Sequence, residues 1–284
     1  DSDYTYTVYS NALEFGNDND AAAEYIDIAY YAVDAAGNTS ATNGADYAIY
    51  NINGWKLMES GTAVDLYDVW GSGSSEAYAV GDAGTILRYN GTGWSADVSG
   101  TGADLKAIHG IPGRGYYAVG ANGTILQGGL GGWSEVDTAE LGFSNTYWSV
   151  FCTPDGHVFA GGDDGYMAHW NLTCWTTMVE AAGSPVKGLW GTGASDLYQI
   201  YGGIKRWNGE EWVIMNDPND ELHVYNGIWG ASSSDLMACG RLSLDVFNPA
   251  VVIRYQGGTW VNLSPDMDAD LQDVWGSSHR DVYF

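Results

Sequence analysis

The chain repeats itself about every forty residues, and this period restricts its fold more than any other property. An aromatic or histidine marker recurs at Trp70, His109, Phe151, Trp190, Trp229 and Trp275. A second series, Trp55, Trp94, Trp133, Trp175, Trp212 and Trp260, advances by 39, 39, 42, 37 and 48 residues. One copy reads Leu-Tyr-Asp-Val-Trp-Gly from Leu66, Tyr-Ala-Val-Gly from Tyr78 and Gly-Thr-Ile-Leu-Arg-Tyr from Gly84, then Trp94. The next copy repeats these runs from Leu105, Tyr117 and Gly123, then Trp133. Each unit therefore holds four short runs rich in β-branched and aromatic residues, separated by Gly, Ser, Asn and Asp. That pattern predicts a four-stranded antiparallel blade, with strands A to D from the inside outward. No 3.5- or 3.6-residue apolar period competes with it.

Five complete units start near residues 66, 105, 147, 186 and 225. An earlier, weaker one has strand A at Ile26-Asp27-Ile28, strand B at Tyr31-Ala32-Val33, strand C at 47–50 and strand D from Trp55. The chain ends two strands into a further unit and begins with two strand-like runs, 4–9 and 12–15. The expectation is one all-β domain over 1–284, a seven-bladed β-propeller. Its seventh blade is split between 1–20 and 271–284, which closes the ring without a free sheet edge.

The Asp-Val-Trp-Gly, Tyr-Ala-Val-Gly and Gly-Thr-Ile-Leu-Arg-Tyr runs resemble the repeats of secreted or surface-attached bacterial propeller proteins. More distantly they are similar to propellers that act as photosystem assembly factors. The resemblance spans nearly the whole chain and implies a bacterial, secreted or surface-displayed protein. It does not select a function, because propellers host binding, scaffolding and catalysis alike. The Trp-Asp dipeptide of WD repeats and the sialidase Asp-box are both absent.

Charge narrows the partners. The 284 residues carry 36 acids and only 10 bases, a formal net charge of −26. Neutralising phosphates needs clustered Lys and Arg, so nucleic acid and anionic membrane surfaces are excluded as partners. No apolar run is long enough to span a bilayer.

Repeated positions are mostly structural, so departures from the repeat carry the functional signal. Asp27, Asp68 and Asp273 share one register of the innermost strand, where the other blades have Ala107, Ser149, Gly188 and Gly227. Carboxylates gathered near an axis repel unless solvated, hydrogen-bonded or bridged by a cation. Asp266, Asp268 and Asp270 alternate in the connection before the last blade. They form an irregular acidic run rather than an EF-hand, since Leu271 stands where that loop needs Gly. These six acids are the candidate metal positions, with Ca²⁺ as the cofactor they would accept.

A second set lies in strand C. Arg88, Arg206 and Arg254 each precede the second marker by six residues and are followed by Tyr89, Trp207 and Tyr255; His169-Trp170 shares the register. A cationic tip beside an aromatic face suits a sugar or an acidic group. The acids Glu76, Asp196, Asp235 and Asp281 all follow the first marker by six residues. That regularity suits turn chemistry, a carboxylate accepting nearby backbone amides in the A–B hairpin.

The longest insertions are the B–C connections at 34–46 and 241–249. In a propeller these emerge on the same face as the D–A connections, and loops on a rigid scaffold carry binding residues. The loop-rich face of blades 6, 7 and 1 is the expected docking surface for a protein or glycan. Catalysis finds little support: the five His show no metal-ligand spacing, and no nucleophile elbow or phosphate loop occurs. Cys152 and Cys174 would pair only if the 171–174 turn folded inward. The sequence thus predicts a non-enzymatic binding or scaffold propeller. A carbohydrate-binding lectin, and a hydrolase or lyase with axial carboxylates, are the alternatives.

Overall fold

The computed structural model describes residues 5–8, 26–33, 43–47, 58–129, 131–179, 183–215, 223–243, 249–265 and 269–284. The chain divides into two units, Asp1–Leu57 and Met58–Phe284. Among the described residues, no helix is long and apolar enough to cross a membrane.

The first unit holds a three-stranded antiparallel sheet of Thr5–Val8, Ile26–Val33 and Asn43–Tyr47, with Ile26–Val33 in the middle. Three sequence expectations change here, the first being that the third strand runs over Asn43–Tyr47, inside the expected 34–46 insertion and ahead of the expected 47–50 strand. The runs at Ile26 and Tyr31 form one continuous strand, because Ala29-Tyr30 between them offers no turn residue. Thr5–Val8, assigned by sequence to the split blade, is paired with Ile26–Val33, Thr5 opposite Val33. The side chains of this sheet, Asp27 included, lie outside the described residues, as do the runs 12–15 and 34–42.

The second unit contains five four-stranded antiparallel sheets, each in simple chain order, followed by a hairpin. Their innermost strands are Leu66–Gly73, Leu105–Ile111, Tyr147–Cys152, Gly188–Gly193 and His223–Ser232, and the hairpin joins Trp275–Ser278 to Asp281–Tyr283. Keeping the sequence numbering, these are blades 2 to 6 and part of blade 7.

The core lies between sheets. Strand side chains alternate between the two faces, and in these blades both faces are apolar. Tyr78, Val80 and Ile86 of blade 2 pack against Leu105, Ile108, Ala118 and Leu126 of blade 3. Val119 and Ile125 of blade 3 meet Tyr147, Val150, Ala160 and Ala168 of blade 4. Tyr198, Ile200 and Ile204 of blade 5 meet Ile228, Ala238 and Ile253 of blade 6. Among the described residues the buried clusters join neighbouring sheets, so each of these sheets is stabilised chiefly against its neighbours.

The Trp-Gly pair of the repeat makes this stacking close. A Cβ on Gly110 would lie 3.0 Å from Trp70 Cζ3, and one on Gly276 would lie 2.9 Å from Trp229 Cη2. In blades 3, 6 and 7 the glycine is thus the seat for the marker tryptophan of the blade before it. Blade 4 departs from this rule in a matched way. It carries Cys152 in place of Gly, and the preceding marker is His109 in place of Trp. His109 Nδ1 accepts the Cys152 N–H at 3.1 Å while its ring packs 4.7 Å from Phe151.

The B–C connections in blades 2, 3 and 4 are tight turns in which a non-glycine residue adopts positive φ: Ala83 at 53°, Asn122 at 59° and Asp164 at 54°. Each precedes a glycine that is also left-handed. Such turns hold the loop face close to the inner strands.

Candidate functional site

The first half of every innermost strand in the second unit faces one cavity of about 430 Å³. It is lined by the four residues ending at each marker, except Gly227 in blade 6, so the register of the repeat also numbers the cavity wall. The marker position supplies rings, among them Trp70, His109, Trp190 and Trp229. His109 is held neutral, its pKa pushed down to about 4 by burial.

Two residues before the marker, Asp68 and Asp273 both line the cavity. Each carboxylate folds back on its own strand: Asp68 Oδ1 accepts the Val69 N–H at 2.7 Å, and Asp273 Oδ1 accepts the Val274 N–H at 2.8 Å. Asp68 Oδ2 also accepts the Ile108 N–H of blade 3 at 2.8 Å, which ties two blades together. Asp68 is half-buried and Asp273 is open on the cavity side. Burial, and secondarily the Asp273 charge, push Asp68 up to about 7, although the two amide bonds pull the other way. Burial also raises Asp273. The register shared by these acids in the sequence therefore does bring two of them to one cavity.

The rim position, three residues before the marker, was missed in the sequence. It holds Tyr67, Lys106, Trp148, Lys187, Asn226 and Gln272 in turn, and all six reach the cavity. The available signal was variation: this register changes chemical class around the blades while the register before it stays apolar. Two of the chain's four lysines are here. Lys106 Nζ lies 3.7 Å above the Tyr67 ring and 3.4 Å from Asp104. Tyr67 donates its hydroxyl hydrogen to Asp82 at 2.6 Å, and the Trp148 indole donates to Asp163 at 2.6 Å. Both acceptors sit in B–C turns, so these rim side chains are braced against the loop face.

On the opposite arc, Lys187 Nζ donates to Asn226 Oδ1 at 3.1 Å, and Asn226 Nδ2 donates to Asp270 Oδ1 at 2.7 Å. Arg241 Nε lies 3.4 Å from Asp270 Oδ2. Both oxygens of Asp270 are thereby engaged by protein donors. Asp266 and Asp268 lie outside the described residues. Among the described residues, no three His, Cys, Asp or Glu side chains converge as a metal site.

The strand C candidates are placed apart, one set on each of three blades, and each is occupied within its own sheet. Arg254 makes two 2.8 Å bonds to Asp235, Arg206 Nε bonds Asp196 at 2.8 Å, and Arg88 lies 3.6 Å from Glu76. The arginines and the turn acids, read separately in the sequence, are thus partners in one repeated pair. The remaining acid oxygens take hydroxyls rather than the backbone amides expected: Ser72 donates to Glu76 at 2.7 Å and Thr192 to Asp196 at 2.6 Å. Tyr89, Trp207 and Tyr255 stand opposite Trp94, Trp212 and Trp260 across strands C and D, ring centres 5.2 to 5.6 Å apart. Cys152, Cys174 and Cys239 are free thiols, with Cys174 exposed and the other two buried.

No family model and no curated protein matches the chain. Solved structures do. A structure described as YCF48 bound to D1 peptide aligns over 91% of this chain and 85% of that one, at 13% identity and a TM-score of 0.59. The WD40 β-propeller domain of Doa1 aligns over 75% and 71%, at 15% identity and a TM-score of 0.55. The WD40 repeats of RRP9 align over 89% and 81%, at 8% identity and a TM-score of 0.58. At these identities the likeness establishes architecture alone: the four-stranded sheets belong to a β-propeller fold.

Proposed function

We propose that the chain is a non-enzymatic binding propeller, secreted or displayed on a bacterial surface, which takes a segment of a partner protein at the rim of its axial cavity. One observation carries this reading. Around the inner wall the rim register changes chemical character from aromatic to cationic to amide: Tyr67, Lys106, Trp148, Lys187, Asn226 and Gln272. A uniform scaffold bearing a varied rim is the arrangement that selective recognition needs. The solved neighbour described with a bound peptide agrees with it. The net charge of −26 would speed encounter with a cationic partner.

A closed ring of seven blades is the architecture we propose for this role. Val69 is 62% exposed, whereas its register equivalents Ile108, Val150, Leu189, Ile228 and Val274 are all at or below 8%. The flank of blade 2 is therefore apolar and uncovered among the described residues, a surface that a further blade would bury in a closed ring. Ca²⁺ at the axial carboxylates is a further proposal, tested by calorimetric titration and by melting with and without chelator.

The binding reading is tested with a displayed library of linear peptides. Enriched peptides should quench tryptophan fluorescence and bind at least tenfold more weakly to Trp148→Ala and Lys187→Ala proteins. No enrichment, or enrichment indifferent to both changes, would sink it. Asp68, with its carboxyl near 7 beside a second acid, gives the hydrolase or lyase alternative one specific support. Turnover of a polysaccharide panel that vanishes in Asp68→Ala or Asp273→Ala would establish that alternative instead.

A further inference from the structure

Asp68 and Asp273 stand on the wall of the axial cavity, and the protein supplies neither with a counter-charge. Among the described residues, no basic group lies within ion-pair distance of either. The acids of the A–B hairpins differ, since Glu76, Asp196 and Asp235 each face an arginine of strand C. The two lysines on the cavity wall are engaged elsewhere, Lys106 with Asp104 at 3.4 Å and Lys187 with Asn226 at 3.1 Å. Nor does the strand need an acid here, because the equivalent positions are Ala107, Ser149, Gly188 and Gly227. We infer that the partner segment docked at the rim inserts a lysine or arginine side chain into the cavity, where Asp68 and Asp273 hold its charge. This rests on the reading of the rim as a binding surface for a protein segment, and it names the chemistry that segment brings.

The cavity, about 430 Å³ in volume, is of the size that small ligand groups occupy. Tyr67 and Gln272 are the rim residues of the two acid-bearing strands, and each acid follows one residue, about 3.3 Å, further along. A backbone resting on the rim therefore meets the carboxylates through a long side chain. Both acids keep acceptor capacity for it. A carboxylate offers about four lone-pair positions; Asp68 spends two, on the Val69 and Ile108 amides, and Asp273 spends one, on the Val274 amide. An ammonium brings three donors and a guanidinium five, enough for both acids. Like charges sharing a cavity raise one another, and an opposite charge relieves both. Rings at the mouth suit the rest of the side chain. Trp148 is 39% exposed with its indole N–H fixed to Asp163, and Lys106 already lies 3.7 Å over the Tyr67 ring. The stem of a bound lysine or arginine packs on such a face while its charge gains from the π system. Ca²⁺ would take the same oxygens, but it needs about six to eight of them. Among the described residues, no three His, Cys, Asp or Glu side chains converge to supply that shell.

The test uses the full chain and the linear peptides enriched on it from a displayed library, titrated at pH 8, above the Asp68 value of about 7. One basic residue of each enriched peptide should be indispensable. Exchange of that lysine for norleucine, or of that arginine for citrulline, should weaken binding by about tenfold or more. Asp273→Asn should weaken the parent peptide by a similar factor, and on that variant the peptide exchange should cost no more than about twofold, which places the two charges in contact. The peptide exchange leaves the protein untouched, so it decides the matter even where a protein variant folds poorly. Cadaverine, a free diamine, should bind far more weakly than the peptide; equal affinity would overturn the inference in favour of a small polyamine. Ca²⁺ held by these acids and not displaced by the peptide would give them to a metal ion instead. Enriched peptides that depend on Trp148 and Lys187 yet tolerate loss of every basic residue would overturn this inference alone and leave the binding reading standing. Failure to enrich any peptide that depends on the rim would overturn both.

Discussion

The Trp190 ring of blade 5 rests on the backbone of Gly230 in blade 6, so closely that a Cβ on Gly230 would stand 2.8 Å from Trp190 Cη2 and 2.6 Å from Leu236 Cδ2. Neither neighbour can retreat, because Leu236 is fully buried and Trp190 is packed from both sides. Gly230→Ala should lower stability by about 1–3 kcal/mol through overpacking. Gly129→Ala, where the added carbon meets nothing within 4 Å, is the control and should change little. Thermal melts of the two proteins compare them directly.

Asp68 makes stability depend on pH in a direction opposite to that of most acids. Its carboxyl is raised from 3.8 to about 7, with burial the main cause. Between those values the folded protein holds a proton that the unfolded chain releases, so this residue's contribution falls as pH rises through the window. With allowance for water in the cavity, the change is about 1–2 kcal/mol. Asp68→Asn should lose this slope, while paying about 1 kcal/mol for one amide left without an acceptor. Denaturant melts at pH 4.5 and 8 for both proteins give the difference.

Ala83 occupies a left-handed turn position that an L-residue with a Cβ resists. Blade 3 places Asn122 at the equivalent point, a residue that tolerates this conformation better. Ala83→Gly and Ala83→Asn should each stabilise by about 0.5–1 kcal/mol. A fall in melting temperature for both would contradict the strain argument.

Arg254 and Asp235 form the best-aligned of the repeated ion pairs, and the Arg254 hydrogen bonds hold the Asp235 carboxyl below its ordinary range. Stability from that shift is present above the unfolded pKa and lost as pH falls through the folded one. Arg254→Gln should cost about 1–3 kcal/mol at pH 7 and less at pH 3. An equal loss at both values would show that packing, rather than charge, accounts for the cost.

The fold was legible because the repeat states it several times over. A motif that spells strand, turn and strand in five successive copies leaves little room for another topology. Ile26–Val33 was misread for the opposite reason: a weak copy lacks the turn residues that separate strands. The site was half legible. Asp68 and Asp273 stood out as charges where other blades have small residues. The Arg254–Asp235 pairing did not, because the partners lie 19 residues apart and meet only through the register of two strands. Sequence spacing shows which residues share a position in the repeat; pairing shows which of those positions touch.

The matched exception at His109 and Cys152 bears on how the chain assembles. Near-identical sheets made on one chain risk docking against the wrong neighbour, a characteristic misfolding route for repeat proteins. A tryptophan marker set against Cys152 would find its glycine seat filled, and His109 set against a glycine would leave a gap beneath its smaller ring. The joint between blades 3 and 4 therefore differs in shape from the tryptophan–glycine joints, a difference that would favour its own partner over the others as the sheets dock.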